Sequence, residues 1–251
     1  MIKKIKILIV TVFLTAFGGI TYADFNDGWV ASEEGDYKTA FNEWKPLAEQ
    51  GDTDAQHNLG WMYGNGKGVL KDYKQAVKWY QKAADQGFAR AQFNLGVMYA
   101  NGEGVLKDDK QAVKWFRKAA DQGAANAQFN LATMYGKGDG VLQDDKEAVR
   151  WYRKAAEQGD AEAQFMMGNL YNSGDAVDRD HLKAFKFWTL ASDQGHSEAQ
   201  GKLAGMYIHG ISVEKDMSKA KELIEKLYAN DDIDISNRAK KVWDKFELWK
   251  Y

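Results

Sequence analysis

A shift of 36 residues brings this chain into register with itself, and that periodicity constrains the fold more than any other feature. Residues 51–86 and 87–122 are identical at 26 of 36 positions, and residues 123–158 carry the same pattern. Residues 159–194 and 195–230 keep it more loosely. There Tyr171, Gly174 and Asp180, then Tyr207, Gly210 and Asp216, take the places of Tyr63, Gly66 and Asp72. Residues 24–50 read as a shortened unit, because Asp36, Ala40, Ala48 and Gly51 match Asp72, Ala76, Ala84 and Gly87. A unit of this size cannot bury its apolar face alone, so neighbours must stack into a solenoid with a concave and a convex side.

Each unit reads as two helices. Ala55, Leu59, Met62 and Tyr63 share one face of the first, and Gly64-Asn65-Gly66 ends it, glycine tolerating the left-handed cap. Asp72 is the expected N-cap of the second helix, with Gln75 in the capping-box place; Asp108/Gln111 and Asp144/Glu147 repeat the device. Ala76, Tyr80, Ala83 and Ala84 form its buried stripe and Gly87 closes it. Small residues, Gly60 among them, recur where helices must approach closely. The expected fold is all-α, a right-handed alpha-alpha superhelix. A single proline in 251 residues agrees, since helix interiors exclude proline.

Ala91, Leu95, Gly96, Tyr99, Gly102, Gly104, Val105, Asp108, Ala112, Trp115, Phe116, Ala119, Ala120 and Gly123 together spell a pattern that resembles the SEL-one-like repeat, a tetratricopeptide-like family. The match runs over about residues 51–230. Units four and five depart from it at the second loop glycine, replaced by Ala176 and Ser212, so those loops are expected to differ in shape. Unit five also has Leu223 in the tryptophan place. The resemblance implies an adaptor that assembles complexes, and its exported bacterial members imply an envelope or host-contact role.

Residues 1–23 are of another kind. Lys3, Lys4 and Lys6 precede an uncharged apolar run from Ile7 to Ile20, and Thr21-Tyr22-Ala23 offers small residues before a cut. This is a signal-peptide pattern with cleavage expected before Asp24, giving a periplasmic or secreted protein. An uncleaved leader anchored in the inner membrane is the alternative, although the run is short for a span. Removing three lysines takes the net charge from −2 to −5 (−2 − 3), which favours neither nucleic acid nor an anionic membrane surface. There is no cysteine, so disulfides, thiolate metal sites and cysteine nucleophiles are excluded. Residues 235–250 suggest a final amphipathic helix carrying Ile235, Ala239, Val242, Trp243, Phe246 and Trp249. After the break at Asp231-Asp232-Ile233-Asp234, residues 231–251 read as a capping helix that covers the last exposed core edge, or as a detachable partner-binding segment.

In tetratricopeptide geometry the outward side of each first helix lines the concave groove. The expected groove residues are His57, Asn58 and Trp61; Arg90, Phe93, Asn94 and Val97; Asn126, Phe129, Asn130 and Thr133; Glu162, Phe165 and Asn169. Units one and two differ in this stripe while their core positions stay fixed, which fits recognition or a relaxed solvated face equally well. Asn58, Asn94 and Asn130 form a ladder whose amides either grip an extended peptide or bond neighbouring helices. Trp61 is a large aromatic on an outward face, a residue type enriched at binding hot spots. Gln56, Gln92, Gln128, Gln164 and Gln200 recur in all five units and are read as inter-helix hydrogen-bonding residues. Trp79, Trp115, Trp151 and Trp188 are read as packing.

Catalytic patterns are weak. His57, His181, His196 and His209 lack metal-binding spacing. Ser218 and Lys221 fit S-x-x-K without its companion motifs, and no strand precedes the G-x-G loops. Asp232, Asp234 and Ser236 begin like a calcium loop but lack its glycine and distal glutamate. The expectation is a non-enzymatic adaptor, without cofactor or metal, holding an extended segment or helix of a protein partner. Cell-wall glycan binding is the alternative, and a β-lactam or peptidoglycan hydrolase, by analogy with cysteine-rich relatives, is weaker still.

Overall fold

A computed structural model describes residues 23–229 and 232–251. The expected leader therefore lies, apart from Ala23, outside the described residues. Those residues are helical throughout, with no strand among them. The chain opens with α1 (Phe25–Glu33) and α2 (Tyr37–Glu49). The five full units contribute first helices α3 (Thr53–Asn65), α5 (Ala89–Asn101), α7 (Ala125–Lys137), α9 (Ala161–Ser173) and α11 (Ser197–His209). Their second helices are α4 (Tyr73–Asp85), α6 (Asp109–Asp121), α8 (Asp145–Glu157), α10 (His181–Asp193) and α12 (Met217–Tyr228). Helix α13 (Ile233–Lys245) and a short 3-10 turn at Leu248–Lys250 follow. Each helix packs chiefly on its sequence neighbours, as a solenoid requires.

The core repeats with the sequence. Leu59, Leu95 and Leu131 are fully buried, and the alanines of each second helix are sealed against the next unit. Gly60 and Gly96 are required here: a Cβ on either would come within 2.7 Å of the ring of Tyr80 or Phe116. Removing the side chain lets a helix lie directly on an aromatic ring.

The second-helix aspartates cap as expected. Asp72 Oδ1 accepts from the backbone N–H groups of Lys74 and Gln75, and Asp108 accepts from Gln111. The reciprocal half of the capping box is not used. The backbone N–H of Asp72 donates instead to Tyr63 O at 2.9 Å, and Asp108, Asp144, Asp180 and Asp216 repeat this bond to Tyr99, Tyr135, Tyr171 and Tyr207. That hydrogen bond ties the second helix to the first and leaves Gln75 free of the role its spacing implied.

The loops of units four and five do not differ in backbone conformation. Gly68, Gly104 and Gly140 have φ near +70°, and Ala176 and Ser212 hold the same left-handed region at φ +58° and +56°. A non-glycine residue there costs about 1–2 kcal/mol. Unit-to-unit packing pins the regular loops: a Cβ on Gly104 would sit 2.3 Å from Tyr73 O in the preceding unit.

The inter-unit glutamines behave as read from the sequence. Gln56 Nε2 donates to Ala48 O at 3.0 Å, and its Oε1 accepts from Gln86 Nε2 at 2.8 Å. Gln92/Gln122, Gln128/Gln158 and Gln164/Gln194 repeat the arrangement, and Gln200 donates to Ser192 O at 3.5 Å. The buried amides of Gln56, Gln92, Gln128 and Gln164 are therefore paired at both their donor and acceptor ends.

Helix α13 does not break the period. Five periods of 36 after Thr53 comes Ile233, so α3 and α13 start in the same place and both have 13 residues. Asp232 caps α13 as Asp52 caps α3. Ser236 stands where Gln56 stands, and its Oγ donates to Tyr228 O at 2.9 Å, a shorter form of the same junction bond. The segment expected to be a capping helix thus keeps the register of a first helix, although the sequence around it departs from the repeat.

Candidate functional site

The expected groove residues do share one face of successive first helices, but few of them are free. Position 54 and its counterparts, Arg90, Asn126 and Glu162, are exposed. Position 57 carries a ring that turns back onto a second-helix ring of its own unit. Ring centroids are 5.6 Å apart for His57–Tyr80, 5.8 Å for Phe93–Phe116 and 5.5 Å for Phe129–Tyr152. Such tilted pairs are favourable aromatic geometry.

Phe165 departs furthest from its expected outward role. It is buried, and stacks on His196 with centroids 4.4 Å apart. His196 accepts from Ala199 N at Nδ1, capping α11, while its Nε2 lies 3.4 Å from Glu162 Oε2. Unit four thus uses this position to hold unit five.

The asparagine ladder is three different things. Asn94 Nδ2 lies 3.1 Å from His57 Nε2, and His57 Nδ1 lies 3.3 Å from Asn58 Oδ1. A single neutral tautomer satisfies both, with Nδ1–H donating to Asn58 and Nε2 accepting from Asn94. Burial lowers the His57 pKa, opposed by the smaller upward pull of the Asn58 hydrogen bond. Asn94 also bonds Tyr80, whose phenol burial holds far above its ordinary range. Asn130 donates within its own helix to Asn126 O at 2.9 Å. Burial likewise raises Tyr152, which shares a 2.9 Å hydrogen bond with Thr133. Asn169 Oδ1 accepts from Trp188 Nε1 at 3.3 Å. Val97 is half-buried and packs against the core.

Trp61 is the exposed aromatic that the sequence promised, at 36% exposure, with Tyr37 at 5.9 Å between centroids. A second one had been overlooked. The loop between α1 and α2 is shorter by four residues than that of a full unit, as the Gly28-to-Asp36 and Gly60-to-Asp72 spacings show. With that gap Gly28 falls on Gly60, and Trp44 covers it as Tyr80 covers Gly60. Trp29 then falls on Trp61, and it is 52% exposed. Two tryptophans one unit apart therefore face outward at the N-terminal end. The packing tryptophans are buried, though Trp188 sits in the Tyr80 register and Phe187 holds the place of Trp79.

At the other end the same face opens into a cleft of about 640 Å³ between α9, α11 and α13. It was not foreseen, although Gly201 and Gly205, at the positions of His57 and Trp61, were a readable signal. Among the described residues no group of three or more His, Cys, Asp or Glu side chains is placed to hold a metal ion, and no helix is long and apolar enough to cross a membrane.

The Sel1 repeat profile matches residues 53–88, 89–123, 125–160, 161–196 and 197–232. No curated protein matches the chain. Among solved structures, a Sel1 repeat protein from Oxalobacter formigenes is 34% identical, with TM-score 0.80 and 88% of each chain covered. A protective antigen of uropathogenic Escherichia coli with the SLR fold is 36% identical, with TM-score 0.74, covering 81% of this chain and 48% of its own length. A Sel1 repeat protein from Klebsiella pneumoniae, 22% identical with TM-score 0.50, covers 82% of this chain and 99% of its own and shares the fold.

Proposed function

Because this chain belongs to the Sel1 repeat family, we propose that it is an exported scaffold that binds protein partners along the outward face of its first helices. The observation that carries this reading is the pair of outward tryptophans, Trp29 and Trp61, on a helix row where most of the neighbouring rings and amides are tied to one another. Large exposed aromatics set on a rigid frame supply contact area at little entropic cost. The glycan alternative calls for free amides beside ring faces. Asn94 spends its amide donors on His57 and Tyr80, and Asn130 gives one of its two to Asn126 O, which weighs for a protein partner. Export rests on the leader pattern, and the reading includes no catalytic step.

The test is site-specific photo-crosslinking in the native cell. A crosslinker at Trp61 is expected to capture a discrete protein, and Trp29→Ala with the same crosslinker should reduce its yield about tenfold. A crosslinker at Lys78, exposed on a second helix, serves as the control. Equal capture from Lys78, or a yield indifferent to Trp29, would remove the assignment of this face.

A further inference from the structure

The cleft of the fifth unit is a specific departure from a pattern that the other units keep. In units one to three a ring on the first helix lies on a ring of the second, and in unit four Phe165 and Trp188 hold those positions. In unit five the same two positions are Gly201 and Ile224. Gly205 replaces the outward residue that is Trp61, Val97, Thr133 or Asn169 elsewhere. Both ring places and the side chain beside them are vacated at once.

These glycines are not needed for packing. Gly60, Gly96 and Gly168 each admit a neighbouring ring that a Cβ would strike. At Gly205 a Cβ meets nothing within 4 Å, and at Gly201 only Leu227 Cδ1 at 3.8 Å. They weaken α11 as interior helical glycines do and relieve no contact in return. What they leave is a cavity of about 640 Å³, floored by Ile224 and Leu227 and walled by Phe165, Val242 and Phe246, in the size range of specific ligand pockets.

Its rim is cationic in a molecule of net negative charge. Lys202, Arg238 and Lys245 line it, with Glu198 as its one carboxylate, and His209 stands edge-on to Phe246 at 5.7 Å. None of the three cations is in an ion pair within 4.0 Å among the described residues.

We infer that this cleft receives a partner segment bearing an aromatic side chain flanked by carboxylates. The incoming ring takes the volume of the missing pair, and the carboxylates meet Lys202, Arg238 and Lys245 at the mouth. The inference rests on the partner-binding reading above and adds the chemistry of the partner at one end of the face.

Fluorescence anisotropy of labelled pentapeptides with the purified protein tests it. The probes are Asp-Asp-Trp-Asp-Asp, the same peptide with Ala for Trp, and the same with Lys for each Asp. The acidic aromatic probe should bind saturably, and each altered probe about tenfold or more weaker. Gly201→Phe, which restores a ring, should weaken the acidic probe about tenfold while the melting temperature stays level or rises; Gly205→Leu is a second filling variant should the first not fold. The double variant Lys202→Glu and Arg238→Glu should lose a similar factor. Equal binding of the three probes, unchanged affinity in both filling variants, or a concentration-dependent dimer that Gly201→Phe abolishes would overturn the inference. These probes need no natural partner, so failure of the Trp61 crosslinking leaves this result readable.

Discussion

Phe93 and Gly201 occupy the same place in α5 and α11, yet one fills its unit and the other leaves a cleft. Around both, the backbone frame is alike. Tyr99 and Tyr207 each accept from the aspartate that opens the next helix, Gln92 and Gln200 each reach the preceding unit, and Gly104 and Ser212 both hold a left-handed turn. The hydrogen-bonded frame is thus indifferent to what its outward face carries. A unit can lose a ring pair and keep its geometry, because capping, junction bonds and turns lie elsewhere.

Substitutions that act on frame and face separately sharpen this comparison. The largest expected effect is in the core. Leu95→Ala should lower stability by about 3–5 kcal/mol in urea unfolding, whereas Ile224→Ala, on the floor of the open cleft, should cost about 2–3 kcal/mol because its surroundings can relax. Equal losses would mean that the cleft lends no freedom to its neighbours. The turns come next: Gly104→Ala combines a strained φ with a clash on Tyr73 O and should cost about 2–4 kcal/mol, while Ser212→Gly should gain about 0.5–1 kcal/mol. The helical glycines should then differ in sign. Gly96→Ala meets Phe116 and should lose about 1–2 kcal/mol; Gly205→Ala meets open space and should gain about 0.5–1 kcal/mol.

The smallest effect is a pH dependence. Burial lowers the folded-state pKa of His57, so below the ordinary histidine pKa of about 6.5 the unfolded chain binds more protons than the folded one. Stability should fall as pH drops from about 6.5 toward the folded pKa and then level off. His57→Phe, the residue of units two and three, should flatten that slope between about pH 7 and 5. An unchanged slope would show that the ring is not shielded as its contacts imply.

Periodicity made the frame legible before any coordinates. Helix phase, the aspartate caps and the role of Gln56 and its counterparts all follow from residues that recur at one spacing, and recurring residues meet recurring neighbours. The face was less legible because its partners are not periodic. Asn58, Asn94 and Asn130 look alike in sequence but part company because His57 gives two of them an acceptor or donor, whereas Phe93 and Phe129 cannot. Phe165 is drawn inward by stacking on His196, where the equivalent pair His57 and Phe88 meets only edge-on and units two and three offer Ala124 and Asp160 in place of a ring. The place of α13 was missed because Ser236 does the work of a glutamine, and Ala239 that of a leucine, in a helix that keeps the register without the letters.

The glutamine relay carries one more consequence. Gln56, Gln92, Gln128 and Gln164 find their acceptors in the preceding hairpin and their donors at the end of their own, at one fixed interval. Any cut and splice that removes or inserts a whole 36-residue period rejoins each amide to an equivalent mate. A splice of any other length strands them in the dark interior. Size in such a molecule is quantised, and recombination between its own copies can lengthen or shorten it without inventing a new seam.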